Sequence, residues 1–199
     1  MISVPSFDRS VKSMTAEAIG NLDTSGFDVI HSYVAGYSVA RARNLMAQKA
    51  IDEGCDYLLM VDSDMLPPKD GLINLASHDV EVCLGWAVRG SSDDGLTSVI
   101  KNGSPGYEKS YHAGEIVQLA ESGEHLIEVK GCGMAFALLS TDVFRRFKRP
   151  WFKYVDYPNG SALGEDYYFC HQCHTVGLNV HVDTRVGCGH IHNRVLEAR

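Results

Sequence analysis

DYLLMVDSDMLPP, residues 56–68, drives a run of Leu, Leu, Met and Val into two aspartates one residue apart and then stops on a proline pair. Carboxylates at the end of a buried segment must be paired, solvated or bound to a cation. The run before them is almost continuously apolar, the mark of a parallel strand covered on both faces. Successive residues of a strand point to opposite faces and residues two apart share one, so Asp62 and Asp64 can converge on one ion where the strand ends and the chain turns. Met65-Leu66-Pro67-Pro68 supplies such a turn.

Working outward, ISVPS predicts a short strand, and the spacing of Val11, Met14, Ala18, Ile19 and Leu22 predicts a helix from a cap at Asp8. FDVIHSYV (27–34) reads as a strand. SVARARNLMAQKAIDEG reads as a helix that turns Val39, Ala42, Leu45, Met46, Ala50 and Ile51 to a core and stops at Gly54. Strand, helix, strand, helix, strand within 64 residues predicts a doubly wound α/β domain with a mostly parallel sheet. In such sheets ligands gather beyond the carboxyl ends of the strands, where Asp62 and Asp64 fall.

Downstream, PPKDGLINLAS and GEDYYFCHQCHTVG read as helices, and STDVFRRF as a capped helical turn. VEVCLGWAV, GMAFALLS and NVHVDTRVG read as strands. Residues 90–125 are rich in Gly, Ser, Asp and Lys, with weak alternation at EIVQLA and HLIEVK. They read as a variable insertion with a hairpin over the substrate, inside a single domain spanning 1–199.

A net charge of −7 argues against broad nucleic-acid binding, which relies on excess Lys and Arg. No run approaches the roughly 18 apolar residues of a membrane span. MISVPSFDRS has no signal-peptide pattern, so the six cysteines are expected as free thiols and the protein as cytoplasmic.

GEDYYF places Glu165 and Asp166 in a first helical turn. There the helix dipole favours acids for purely structural reasons, and there Asp166 could also act as a general base. Cys170, His171, Cys173 and His174, followed by Cys188, His190 and His192, invite a zinc reading, but the paired spacing of common zinc modules is missing. His190 follows the last strand and could return to the sheet edge of Asp64. Two carboxylates and an imidazole form a hard site suited to Mn²⁺ or Mg²⁺. Trp86, Trp151 and Tyr154 are either core or a sugar-stacking surface.

In the order ARNLMAQKAIDEGCDYLLMVDSDM, GCGMAFALLSTDVFRRF, PWF, GEDYYFC and DTRVGCGHIH, the chain resembles the GT-A-fold glycosyltransferases. It is most similar to compact prokaryotic or viral members of the large inverting class. The resemblance implies a Rossmann-like GT-A domain and a DxD motif at Asp62-Ser63-Asp64, with Asp64 and His190 (or His192) at the metal and Asp62 at the nucleotide ribose or the metal shell. It implies a base at Asp166 beside Glu165, a nucleoside cupped by Pro5 and Ser6, and a basic donor-site position at Arg43. For Arg43 the plain alternative is a surface helix arginine.

The function implied is metal-dependent transfer of a sugar from a nucleoside diphosphate sugar to an acceptor hydroxyl, with inversion. Two other readings stand beside it: a nucleotidyltransferase, although SVPSFDRS lacks the glycines of a triphosphate loop, and a catalytically silent nucleotide-sugar or glycan-binding protein.

Overall fold

Leu58 and Met60 pack into one apolar cluster while Leu59 and Val61 pack into another, so the strand they form is covered on both faces. That strand, β3 (Tyr57–Val61), sits inside the main sheet of a computed structural model that describes residues 1–89, 95–102 and 109–191. It is preceded by β1 (Ile2–Ser6), α1 (Ser13–Gly20), β2 (His31–Ala35) and α2 (Val39–Asp52). It is followed by β4 (Met65–Leu66), α3 (Gly71–Ala76), β5 (Val82–Trp86), β6 (Leu96–Lys101), β7 (Ser110–His112), α4 (Ala113–Glu121) and β8 (Leu126–Gly131). Then come β9 (Phe136–Ser140), α5 (Val143–Arg146), β10 (Val155–Asp156), β11 (Ala162–Leu163), α6 (Glu165–Thr175), β12 (Val180–Gly187) and β13 (Gly189–His190).

Among the described residues the main sheet has nine strands in the order β2-β1-β3-β9-β5-β12-β8-β6-β7. The α/β architecture agrees with the sequence, and in detail the sheet is mixed. β1 runs parallel to β2 and β3, and β5 parallel to β12. β9 lies antiparallel between β3 and β5, and β8, β6 and β7 continue antiparallel to the far edge. One face carries the cluster of Met46, Leu84, Phe152 and Phe169, the other that of Leu72, Leu75, Phe136 and Val186.

The described part of 90–125 is not appended to the domain. β6 and β7 form the expected hairpin and extend the main sheet. EIVQLA, read as weakly alternating, belongs to α4. A capping box starts that helix: His112 accepts from the Gly114 amide while Glu115 accepts from the His112 amide. The first helix begins at Ser13 instead of Asp8 and leaves Met14 57% exposed. Asp8 instead closes a local turn, accepting from the amide and hydroxyl of Ser10. None of the described helices is long and apolar enough to cross a membrane.

Candidate active site

At the carboxyl end of β3 the chain turns at once, the Met65 amide donating to Asp62 O at 3.2 Å. The turn is zipped to the last ladder among the described residues, β4 with β13. His190 pairs with Met65 in the β4–β13 register, and the Ile191 amide donates to Asp64 O at 2.9 Å. This pairing brings Nε2 of His190 to 3.4 Å from Oδ2 of Asp64, while Nδ1 faces Val88 O at 3.5 Å. His192 lies outside the described residues.

Asp62 takes a different partner. Arg43, on the core face of α2, is 3% exposed. Its Nη2 donates to both Asp62 oxygens at 2.9 and 3.0 Å, and its Nη1 donates to Glu165 Oε1 at 2.5 Å. Burial alone would lower its pKa; the carboxylates of Asp62, Glu165 and Asp166 reverse that and raise it. The surface-arginine alternative is therefore excluded. The neighbouring Asn44 is structural, donating to Phe152 O and accepting from the Trp151 amide.

Glu165 and Asp166 open α6, but only Glu165 is held by the arginine. Asp166 Oδ1 accepts from the Tyr167 amide at 2.8 Å. Burial, reinforced by Glu165 and opposed by Arg43, pushes its carboxyl up to about 6. Gly164 leaves room for it: a Cβ there would stand 2.7 Å from Asp166 Oδ1, whereas one at Gly133 would crowd Ser98 Oγ at 3.0 Å and only touch Asp166 Oδ2 at 3.6 Å.

Asp62, Asp64, His190, Arg43, Glu165 and Asp166 all line one cavity of about 300 Å³. Asp62 and Asp64 also border a second of about 170 Å³, walled by Pro5, Ser6, Phe7 and Tyr37. Among the described residues no three His, Cys, Asp or Glu side chains converge as a ready-made metal cage. The donor set that does converge is one carboxylate and one imidazole, Asp64 and His190. Such a pair fits a hard divalent cation whose remaining positions are filled by water or phosphate oxygens.

No family model matches the chain, and neither does any curated protein. Solved structures do. A197 from STIV superposes on 96% of this chain and 85% of its own, with a TM-score of 0.67 at 18% identity. GalNAc-T7, solved with UDP, GalNAc and Mn²⁺, superposes on 96% of this chain with a TM-score of 0.58 at 12% identity. This chain spans 43% of the GalNAc-T7 chain, and at such identities the likeness is one of fold. The chain has a GT-A-like fold.

Within that GT-A-like frame the zinc reading finds no ligand set among the described residues: Cys170, Cys173 and Cys188 are buried, and no three His, Cys, Asp or Glu side chains converge. His174 instead contacts Lys130 O. Trp151 is core and donates to Phe144 O, and the Trp86 indole donates to Thr184 O. Tyr154 is 51% exposed, and burial together with Glu165 pushes its hydroxyl up to about 12. The sequence reading missed Phe7 and Tyr37 beside Pro5, and Arg89, Ser98 and Gly133 around Asp166. The glycine in GCGM was a usable signal for Gly133. Nothing local marked Ser98 or Arg89, which the topology alone brings there.

Proposed function

We infer that the chain is a glycosyltransferase, moving a sugar from a nucleoside diphosphate sugar to an acceptor hydroxyl with inversion. The observation that carries this reading is the convergence in one cavity of the Asp64–His190 pair and the buried Asp166, whose carboxyl is held at about 6.

Pro5, Ser6, Phe7 and Tyr37 form the wall against which the nucleoside would lie, with Asp62 and Asp64 where that recess meets the larger cavity. Asp64 and His190 would hold a divalent cation, Mn²⁺ or Mg²⁺. Bound there, it would offset the charge that develops on the departing diphosphate. Asp166, ionised above about pH 6, accepts the acceptor hydroxyl proton as the oxygen attacks the anomeric carbon. The bond to the diphosphate breaks and its electron pair leaves with the phosphate oxygen, through an oxocarbenium-like transition state of the kind seen in glycoside hydrolysis. GalNAc-T7, solved with UDP, GalNAc and Mn²⁺, supports this choice of ligand class by analogy of fold.

The test is turnover of a panel of UDP, GDP, CMP and dTDP sugars with Mn²⁺ and a panel of hydroxyl acceptors, followed by release of free nucleotide, in the wild type and in Asp166→Asn. Release by the wild type alone supports the reading. Equal release from Asp166→Asn removes Asp166 as base, and no release from any donor defeats the enzyme reading in favour of a binding protein.

A further inference from the structure

Arg43 is the most buried charge in the cavity, and it joins elements far apart in the chain. Asp62 lies 19 residues away and Glu165 122 residues away. Its Nη2 is already given to both Asp62 oxygens and its Nη1 donates to Glu165. A guanidinium presents its donors in a planar fork, which suits simultaneous contact with two carboxylates. We propose that Arg43 is a positioning residue: it bridges Asp62, at the turn after β3, to Glu165, in the first turn of α6, reserving both carboxylates. Asp64 and His190 are then left for the metal and Asp166 for the proton.

The proposal rests on the glycosyltransferase reading for its metal and turnover consequences, but the bridge itself does not. In the wild type, Asp62 and Glu165 are each satisfied by the arginine. Without it a buried carboxylate, Glu165, and a partly buried one, Asp62, are left with no cation between them, which is unfavourable. The bridge also explains why a charged residue sits on the apolar face of α2, with its Nε lacking a hydrogen-bond partner among the described residues. Through Glu165 it fixes the helix start that carries Asp166.

Three measurements on the full chain test it. Thermal denaturation needs neither metal nor donor: Asp62→Asn and Glu165→Gln should each lower the melting temperature of the wild type and raise that of Arg43→Met. Effects of the same sign in both backgrounds overturn the bridge. Mn²⁺ titration followed by electron paramagnetic resonance tests the reservation of Asp62. Asp64→Asn should weaken Mn²⁺ binding by at least the roughly tenfold lost when even an outer partner of a ligand is removed. Asp62→Asn should leave it nearly unchanged, and equal losses in the two overturn the reservation.

Arg43→Lys keeps the charge but cannot span both carboxylates. It should lower kcat with the donor KM and Mn²⁺ affinity unchanged, and full kcat overturns the positioning role. If Arg43→Lys does not fold, the uncharged Arg43→Met/Asp62→Asn/Glu165→Gln variant replaces it, expected to bind Mn²⁺ without turnover. Absence of turnover or of Mn²⁺ binding in the wild type counts against the glycosyltransferase reading and leaves the thermal comparison to decide the bridge.

Discussion

Asp64 and His190 are 126 residues apart in the chain and face each other, Oδ2 to Nε2, at 3.4 Å across the β4–β13 ladder. The ladder positions the imidazole, so the pair depends on a two-residue strand at each side. His190→Ala should therefore abolish the Mn²⁺-dependent part of nucleotide binding while leaving the melting temperature of the metal-free protein within a few degrees. Thermal shift with and without Mn²⁺ reads both. Wild-type metal dependence in His190→Ala would remove the histidine from the site.

The Asp166 carboxyl at about 6 makes a kinetic and a thermodynamic prediction. As a base it works only when ionised, so kcat/KM should rise as the pH climbs through about 6 and level off above it. Between the ordinary value of 3.8 and about 6 the folded protein binds this proton more tightly than the unfolded chain, so stability falls as the pH rises through that window. Above it, the ionised carboxylate costs the fold about 3 kcal/mol. Asp166→Asn should thus be inactive yet melt several degrees higher at pH 8, with the gain vanishing near pH 4. A variant that melts lower at pH 8 contradicts this.

Gly164 tests geometry rather than charge. Its backbone φ of −65° suits any residue, so alanine brings no backbone strain. The new Cβ would nonetheless stand 2.7 Å from Asp166 Oδ1 and force that carboxylate to rotate. Gly164→Ala should leave the melting temperature nearly unchanged and lower kcat at least tenfold, a loss of about 1.4 kcal/mol in transition-state stabilisation. Unimpaired turnover would show that the seat of the Asp166 carboxylate is not critical.

What the sequence made legible was whatever is encoded in a few consecutive residues. YLLMV announced a strand buried on both faces, and the DSD triplet at its end marked the sheet edge where the two cavities meet, because β3 must turn where its apolar run stops. Gly54 and Gly177 marked helix ends, and both adopt positive φ, 66° and 76°. The partnerships were not legible. Asp62 and Asp64 look equivalent in the sequence, and only the packing of α2 under the turn gives the first to Arg43 and leaves the second to His190. Glu165 and Asp166 look equivalent in the same way and are divided by the same arginine. EIVQLA misled because a short segment with one buried isoleucine satisfies a strand pattern as easily as a helical one.

Away from the cavity, Asp183 is fully buried on β12, where its carboxylate accepts from Arg185 and contacts His78 Nε2 at 2.7 Å. Burial would raise its pKa, but the hydrogen bonds from Arg185 and His78 outweigh it and hold the carboxyl below its ordinary 3.8. The resulting stabilisation is present above that value and is lost as the pH falls through the lower folded one. Asp183→Ala should cost about 3 kcal/mol near neutrality, the scale of breaking a buried pair, with the difference from wild type shrinking below pH 3.8. Denaturant unfolding at two pH values measures it, and a pH-independent difference would mean lost packing rather than lost charge.

The central claim is tested most directly by calorimetric titration of UDP, GDP, CMP and dTDP into the wild type and Asp64→Asn, each with and without Mn²⁺. The account predicts that one nucleotide binds the wild type only when Mn²⁺ is present, and that this binding is lost in Asp64→Asn. Binding that ignores the metal, or that survives in Asp64→Asn, would contradict it.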